Sequence, residues 1–476
     1  MAHEDNARRA RWVAGLLLVI GAGVALWSVQ PEPAPEPKPL DPPNIVLITF
    51  CTSRADRLGC YGYEAADTPN FDRLAGEGVV FENHYTQASF SGGSFASILT
   101  GRYCFGHGVF DHPHELESKN VTLAELLKSA GYRTAGFVTH LFVAPRLQFG
   151  QGFDTFERRA KPRRVAEQAV DWIDRQAQGP FFLWFQIQPS HYPYRGPAYL
   201  IRADARPVDA TINQHPQRDR SRLMFEFDSF CYSESQMASV LALYDATVSH
   251  CDRLTGLILD ALERRGELDK TLVVVTADHG DLHGEHDIYF NHAANLYEPT
   301  VRVPLIVRLP RSQHAGLRIA DVTRNIDLLP SLAESAGVTV PDTVDGQSLW
   351  PVIDGIAPPR DAFAESGVFR SSRVGLTHYR QYLPGTEGKW RMLRRGPYKL
   401  IAIPGEGTGR GFAYELYDLR ADPAETHNLS ESLPKVRVEL AESLARWFQG
   451  YQRLKVSPQE LNPQDVEDLK SLGYID

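Results

Sequence analysis

Asp278-His279-Gly280-Asp281, with His283, Glu285, His286 and Asp287 close behind, sets carboxylates and imidazoles side by side. Both are natural ligands for a divalent metal. A solvated polar loop could carry the same residue types, but their density directly behind an apolar run argues for a metal site. A second polar group, Cys51-Thr52-Ser53-Arg54-Ala55-Asp56, follows another apolar run. A third stretch, A-S-F-S-G-G-S-F-A-S-I-L-T-G-R over 88–102, leads small residues into a helix. Hydroxyls at its start, Ser91 and Ser94, would meet unpaired N–H groups and the positive end of the helix dipole, where an oxyanion is welcome. Ordinary N-capping by either serine is the plainer alternative. His191, in Q-P-S-H-Y-P-Y, closes a fourth apolar run.

The elements that must position these residues alternate between strand and helix. Asn44–Phe50, Phe181–Ile187 and Leu272–Val275 are continuous apolar runs, too short for helices and rich in β-branched or aromatic residues. Strands buried on both faces of a parallel sheet read this way, and ligands bind beyond the carboxyl ends of such strands. The pattern also predicts a capped helix at T-P-N-F-D-R-L-A running into the short strand V-V-F-E-N. Further helices are expected at 123–130, 164–176 and 236–265, a strand at 135–138, and a surface insertion over about 196–230. Near 340 the texture changes to short strands and turns (W-R-M-L-R-R-G-P-Y-K-L-I, Y-E-L-Y-D-L), followed by an amphipathic helix over 436–451. No internal repeat is visible.

Composition is that of a globular chain of 476 residues, 43% hydrophobic and 23% charged, with a net charge of −9. It offers no basic face, so no nucleic-acid partner is expected. Cys51, Cys60, Cys104, Cys231 and Cys251 show no CxxC spacing and read neither as a disulfide framework nor as a zinc finger. At the amino end, Arg8, Arg9 and Arg11 precede an apolar run over 12–29, and P-E-P-A-P-E-P-K-P-L-D-P-P follows. This reads as residues 1–30 forming a signal anchor or signal peptide and 31–43 a Pro-rich linker. The expectation is an exported protein, held to the inner membrane by this segment or periplasmic or secreted if it is cleaved.

T-A-D-H-G-D-x-x-G-E-H followed by Y-E-P-T-V-R-V-P-L-I-V resembles the second metal motif of the sulfatase family, in the alkaline phosphatase superfamily. Further matching stretches follow the family order: T-P-N-F-D-R-L-A-x-E-G, L-T-G-R-Y, A-E-L-L-K-S-A-G-Y-R-T and E-L-Y-D-L-R-A-D-P-A-E-T-H-N-L. The tail S-L-G-Y-I is similar to the ending of a bacterial sulfatase-like subgroup. The resemblance implies an α/β fold: a large doubly wound, mostly parallel sheet over 44–340 and a smaller C-terminal α+β domain over 341–476. It also implies hydrolysis of sulfate esters with a divalent metal, Ca²⁺ by family habit.

By the same resemblance, Asp278 and His279 are metal ligands, while the acid expected after the first strand falls on Cys51. The nucleophile motif C/S-x-P-S-R, whose first residue is oxidised to formylglycine, falls on Ser91; Gly93 replaces its Pro, Ser94 is kept and Phe95 replaces its Arg. His191 and His292 match residues that contact the ester oxygens and leaving group. Arg54 and Ser94 are placed near the substrate, and His107 is read as structural. Without that Pro and Arg, conversion of Ser91 is not expected, so a bare serine would attack sulfur or phosphorus. Cys51 offers soft sulfur in place of hard oxygen, which disfavours Ca²⁺ or Mg²⁺ and admits Zn²⁺ held by Cys51, Asp278, His279 and Ser91 or water. A buried thiol merely filling a vacated ligand position is the other reading of Cys51. Three functions stay open: a sulfatase acting on a sulfated small molecule or glycan, a phosphoester or phosphonate hydrolase, and a degenerate relative that binds a sulfated or phosphorylated glycan without turnover.

Overall fold

The computed structural model describes residues 42–110, 114–176, 179–192, 194, 196–202, 233–367, 389–404 and 412–449. The apolar N-terminal run, the Pro-rich tract up to residue 41, most of the expected surface insertion and the tail motif therefore lie outside the described residues. Among the described residues no helix is long and apolar enough to cross a membrane.

The predicted apolar runs become strands: β1 Asn44–Phe50, β2 Val79–Tyr85, β3 Arg133–Val138, β4 Thr155–Arg158, β5 Phe181–Ile187, β6 Thr271–Ala277, β7 Leu305–Arg308 and β8 Leu317–Arg324. Among the described residues they form one sheet in the order β4-β3-β5-β1-β6-β7-β2-β8. The pairs β4-β3-β5-β1-β6 are parallel, whereas β7 runs against both β6 and β2. Both faces are covered. Val46, Ile48, Phe185 and Val275 pack toward helices α4 Pro162–Gln176 and α5 Glu234–Arg264, while Ile45, Leu47, Trp184 and Val274 pack toward α2 Ser91–Thr100, α3 Leu123–Ser129 and α6 Leu328–Ser335. Alternate residues of one strand thus serve opposite cores, which is why the runs are apolar without a break.

Two local expectations are corrected. Helix α1, Pro69–Gly76, has Thr68 at its N-cap position without a capping side-chain bond. That hydroxyl is occupied elsewhere, accepting from Gly59 N at 3.1 Å, and Pro69 starts the helix instead. At α2 the N-cap residue is Phe90, and neither Ser91 nor Ser94 caps the helix.

A second, antiparallel sheet has the order β12-β11-β10-β9, with β9 Ala362–Glu365, β10 Arg391–Arg395, β11 Tyr398–Pro404 and β12 Phe412–Asp418. Leu393, Leu400 and Leu416 on one face pack against Leu440 and Leu444 of α7, Pro434–Phe448. The other face packs on Tyr85, Leu296, Tyr297 and Val301 of the large domain. Strand β9 also bonds directly to the segment that leads into α2: Ser89 N donates to Glu365 O at 3.2 Å and Glu365 N to Gln87 O at 3.1 Å. Buried Lys399 of β11 ties the small sheet to the large domain, lying 3.0 Å from Glu298, and to the loop after β12, 2.8 Å from Glu425.

Candidate active site and metal centre

Four chain segments meet at the carboxyl edge of the large sheet. Because β1 and β6 are adjacent and in register up to Phe50 and Ala277, Cys51 and Asp278 leave the sheet side by side. Their ligand atoms and that of His279 all lie within 4.8 Å of one another, and all three residues are buried. The first turn of α2 brings Ser91, whose Oγ is 3.4 Å from Cys51 Sγ and 3.2 Å from His279 Nε2.

Each group is held from behind. Asp278 Oδ1 accepts from Thr52 N at 3.0 Å and His279 N at 2.7 Å. Its Oδ2 accepts no hydrogen bond, although it is buried, and lies 3.4 Å from His279 Nε2. His279 Nδ1 lies 2.9 Å from Gly280 O, which can only accept, so Nδ1 carries the proton and Nε2 the lone pair. Gly280 itself is required by close approach: its N donates to Thr300 O at 2.8 Å, and an added Cβ would sit 2.0 Å from Pro299 O. Thr52 adopts a left-handed backbone (φ 56), uncommon for a β-branched residue, and its strain sits where Asp278 is oriented.

These residues fit a divalent cation. An unpartnered buried carboxylate oxygen, an imidazole lone pair and a thiol converge on one point, and Ser91 Oγ borders it. Burial, and then the charge of Asp278, pushes the Cys51 thiol well above its usual range, which by itself favours neutral sulfur. A cation reverses that preference, because it stabilises the thiolate it binds.

The other expected site residues fall in two groups. His292 stacks on His279 (ring centroids 4.3 Å) and lies edge-on to His191 at 5.3 Å, so three imidazoles line the wall beside Ser91. His191 Nδ1 donates to Tyr192 O at 2.6 Å, which fixes that ring's tautomer. Arg54 and Ser94, expected at the substrate, are engaged elsewhere. Arg54 forks onto Asp56 at 2.9 and 2.7 Å and pairs with Glu285 at 2.7 Å. Ser94 Oγ donates to Asp278 O at 2.7 Å and accepts from Thr86 Oγ1 at 2.9 Å, which pins α2 to the end of β6. His107 is structural: Val109 N donates to its Nδ1, and Ser97 Oγ lies 3.1 Å from Nε2.

The two motif departures have visible causes. Phe95 is fully buried against Trp184 (5.7 Å) and His140 (6.0 Å), so the space of a cationic side chain is part of the core. At Gly93 an added Cβ would meet Phe90 Cζ at 2.4 Å, because that ring lies across the helix start. Asp281 went unassigned in the sequence reading. It is buried, with Oδ1 3.4 Å from His292 Nδ1 and Oδ2 accepting from Tyr194 OH at 3.1 Å. Its place within the D-H-G-D motif was the available signal. The four described cysteines, Cys51, Cys60, Cys104 and Cys251, are all free.

A buried serine beside an acid–imidazole pair at the carboxyl edge of a doubly wound sheet is an arrangement suited to metal-assisted ester hydrolysis. The sulfatase family profile matches residues 43–338, and the profile of the N-sulphoglucosamine sulphohydrolase C-terminal region matches 284–449. The chain belongs to the sulfatase family, whose members hydrolyse sulfate esters. It is 25% identical to an N-acetylglucosamine-6-O-sulfatase of Bacteroides thetaiotaomicron, over 81% of this chain and 82% of that one. It is 26% identical to a choline-sulfatase of Rhizobium meliloti, over 82% and 83% of the two chains. Among solved structures, a phosphonate monoester hydrolase of Agrobacterium radiobacter superposes with a TM-score of 0.69 at 22% identity, covering 89% of this chain and 98% of that one.

Proposed function

We propose that this chain is an exported sulfate-ester hydrolase that uses unmodified Ser91 as its nucleophile. The observation that carries the reading is the contact of Ser91 Oγ with Cys51 Sγ and His279 Nε2, at 3.4 and 3.2 Å, beside the unpartnered Asp278 Oδ2. Cys51, Asp278 and His279 would hold the metal, and the sulfur ligand favours Zn²⁺ over Ca²⁺. When bound, the ion supplies Lewis acidity, lowering the proton affinity of an adjoining hydroxyl and offsetting charge on the ester oxygens.

The remaining chemistry belongs to side chains. Ser91 Oγ forms a bond to sulfur as the bond from sulfur to the leaving oxygen breaks. The doubly protonated ring of His191 or His292 gives its Nε2 proton to that oxygen, and in net terms the Ser91 proton replaces it. Water then attacks sulfur, the seryl S–O bond breaks, one water proton returns to Ser91, and hydrogen sulfate departs. Phe95 leaves no guanidinium to stabilise the oxyanion, so the first-turn amides of α2 and the two histidines carry that task. Arg54 and Ser94 act as supports. Phe90 over Gly93 and the missing Arg support a serine that stays a serine.

A phosphonate or phosphodiester hydrolase is the second reading, favoured by the bare serine beside a thiol-containing ligand set. The basic flank ahead of the apolar run over 12–29 supports export, and the Pro-rich tract supports retention of that run as an anchor. The substrate would be a sulfated small molecule or glycan. The test is metal analysis of the full-length protein, with hydrolysis of aryl sulfate, aryl phosphonate and phosphodiester probes by wild type and Ser91→Ala. Bound zinc and sulfate turnover abolished in the variant are expected. Preference for the phosphorus esters would select the second reading. Absence of metal and of turnover would leave a glycan-binding role.

A further inference from the structure

Asp281 joins two groups that would otherwise be separate. One carboxylate oxygen lies 3.4 Å from His292 Nδ1, and the other accepts from Tyr194 OH at 3.1 Å. Tyr194 OH in turn lies 2.9 Å from His283 Nε2. The backbone of Asp281 is fixed as well: Arg54 Nη1 donates to its carbonyl oxygen at 3.2 Å, and Arg54 is itself clamped by Asp56 and Glu285. The carboxylate is therefore a rigid post, buried and anchored by Tyr194. An imidazole is defined by the partner of its second nitrogen. A carboxylate at Nδ1 accepts that nitrogen's N–H, fixes the ring plane and favours the doubly protonated ring, in which Nε2 also carries an N–H. The ring of His292 is steadied on its face too, by stacking on His279 at 4.3 Å.

We propose that Asp281 is a positioning residue for His292, holding that ring so that its Nε2–H meets the leaving-group oxygen. The inference rests on the hydrolase reading above and chooses His292 over His191 as the proton donor. The choice follows from the second partners. His191 Nδ1 faces the carbonyl of Tyr192, a neutral acceptor within its own turn, whereas His292 Nδ1 faces a carboxylate braced by a tyrosine, on a backbone held by an arginine. Asp281 touches no substrate; it acts through the imidazole.

Proton donation matters most when the leaving group is poor, and this separates positioning from simple support of the fold. Full-length wild type, Asp281→Asn and Tyr194→Phe are assayed on aryl sulfates from 4-nitrophenyl to phenyl, or on the matching phosphonates if wild type prefers them. Asp281→Asn should lower kcat about 100-fold on the phenyl ester and less than about 5-fold on the 4-nitrophenyl ester, with KM little changed. Tyr194→Phe, which keeps the carboxylate and removes one brace, should show the same leaving-group trend at smaller amplitude. Thermal midpoints and metal content accompany each variant. An equal loss across the series in both variants overturns the assignment, as does a rise in KM alone. Should Asp281→Asn fail to fold, the slope of the Tyr194→Phe series decides. A wild type that hydrolyses none of the esters refutes the hydrolase reading itself, and this inference falls with it.

Discussion

Replacing Ser94 by alanine separates two roles for a residue one turn from the nucleophile. If Ser94 contacts substrate, its loss raises KM. If it pins α2 to the end of β6, stability and metal affinity fall instead. Its hydroxyl serves two partners, donating to Asp278 O at 2.7 Å and accepting from Thr86 Oγ1 at 2.9 Å. Thr86 has a second acceptor, Ala88 O at 3.0 Å, and turns to it at little cost. Asp278 O is left buried and unsatisfied, which costs about 1–3 kcal/mol. For a unit of this size unfolding entropy is large, so that loss moves the thermal midpoint by only about 1 °C per kcal/mol. Urea or guanidinium titration is the better measurement. The carbonyl belongs to Asp278, whose Oδ2 would face the proposed metal, so metal affinity should fall by about 10–100-fold. Unchanged denaturation midpoint and metal affinity, with KM raised, would refute this account and return Ser94 to the substrate.

Cys51→Asp restores an oxygen ligand and should shift selectivity from Zn²⁺ toward Ca²⁺ in competition titrations, whether or not turnover improves. Burial pushes His84 down to about 4 and His107 down to about 3. Each is held neutral in the fold, so its stabilising contribution is complete above the unfolded value near 6.5 and is lost as pH falls toward 4. Urea midpoints should decline over that window, less steeply in His107→Gln. Lys399→Met strands Glu298 and Glu425 without their cation and should destabilise by about 3–5 kcal/mol in chemical denaturation, whereas Lys399→Met with Glu425→Gln should recover part of that loss.

The strands were legible because a strand buried on both faces cannot hide its composition; Asn44–Phe50 and Phe181–Ile187 match their predicted bounds. The reversal of β7 was not legible, since apolar content on two faces is the same for either direction. That Cys51, Asp278 and His279 would come together was legible from residue type and order. What escaped was where hydroxyls and guanidinium groups point. Arg54 was expected at the substrate, but Glu285, distant in sequence, and Asp56 take its charge. The contacts of Ser94 escaped because its partners, Thr86 and a main-chain carbonyl, leave no signature in residue type. Asp281 escaped because its neighbours, a tyrosine and a histidine, arrive from other segments.

The ring of Phe90 across Gly93 makes these two positions mutually contingent in evolution. A proline at 93 would suit the helix backbone, since the N–H groups of a first turn have no intrahelical partner. Its Cβ, however, would enter the ring, 2.4 Å from Cζ. Reinstating the modification motif from this sequence therefore begins not at residue 93 but at residue 90. A path that installs the proline first must displace the Phe90 ring from the helix start.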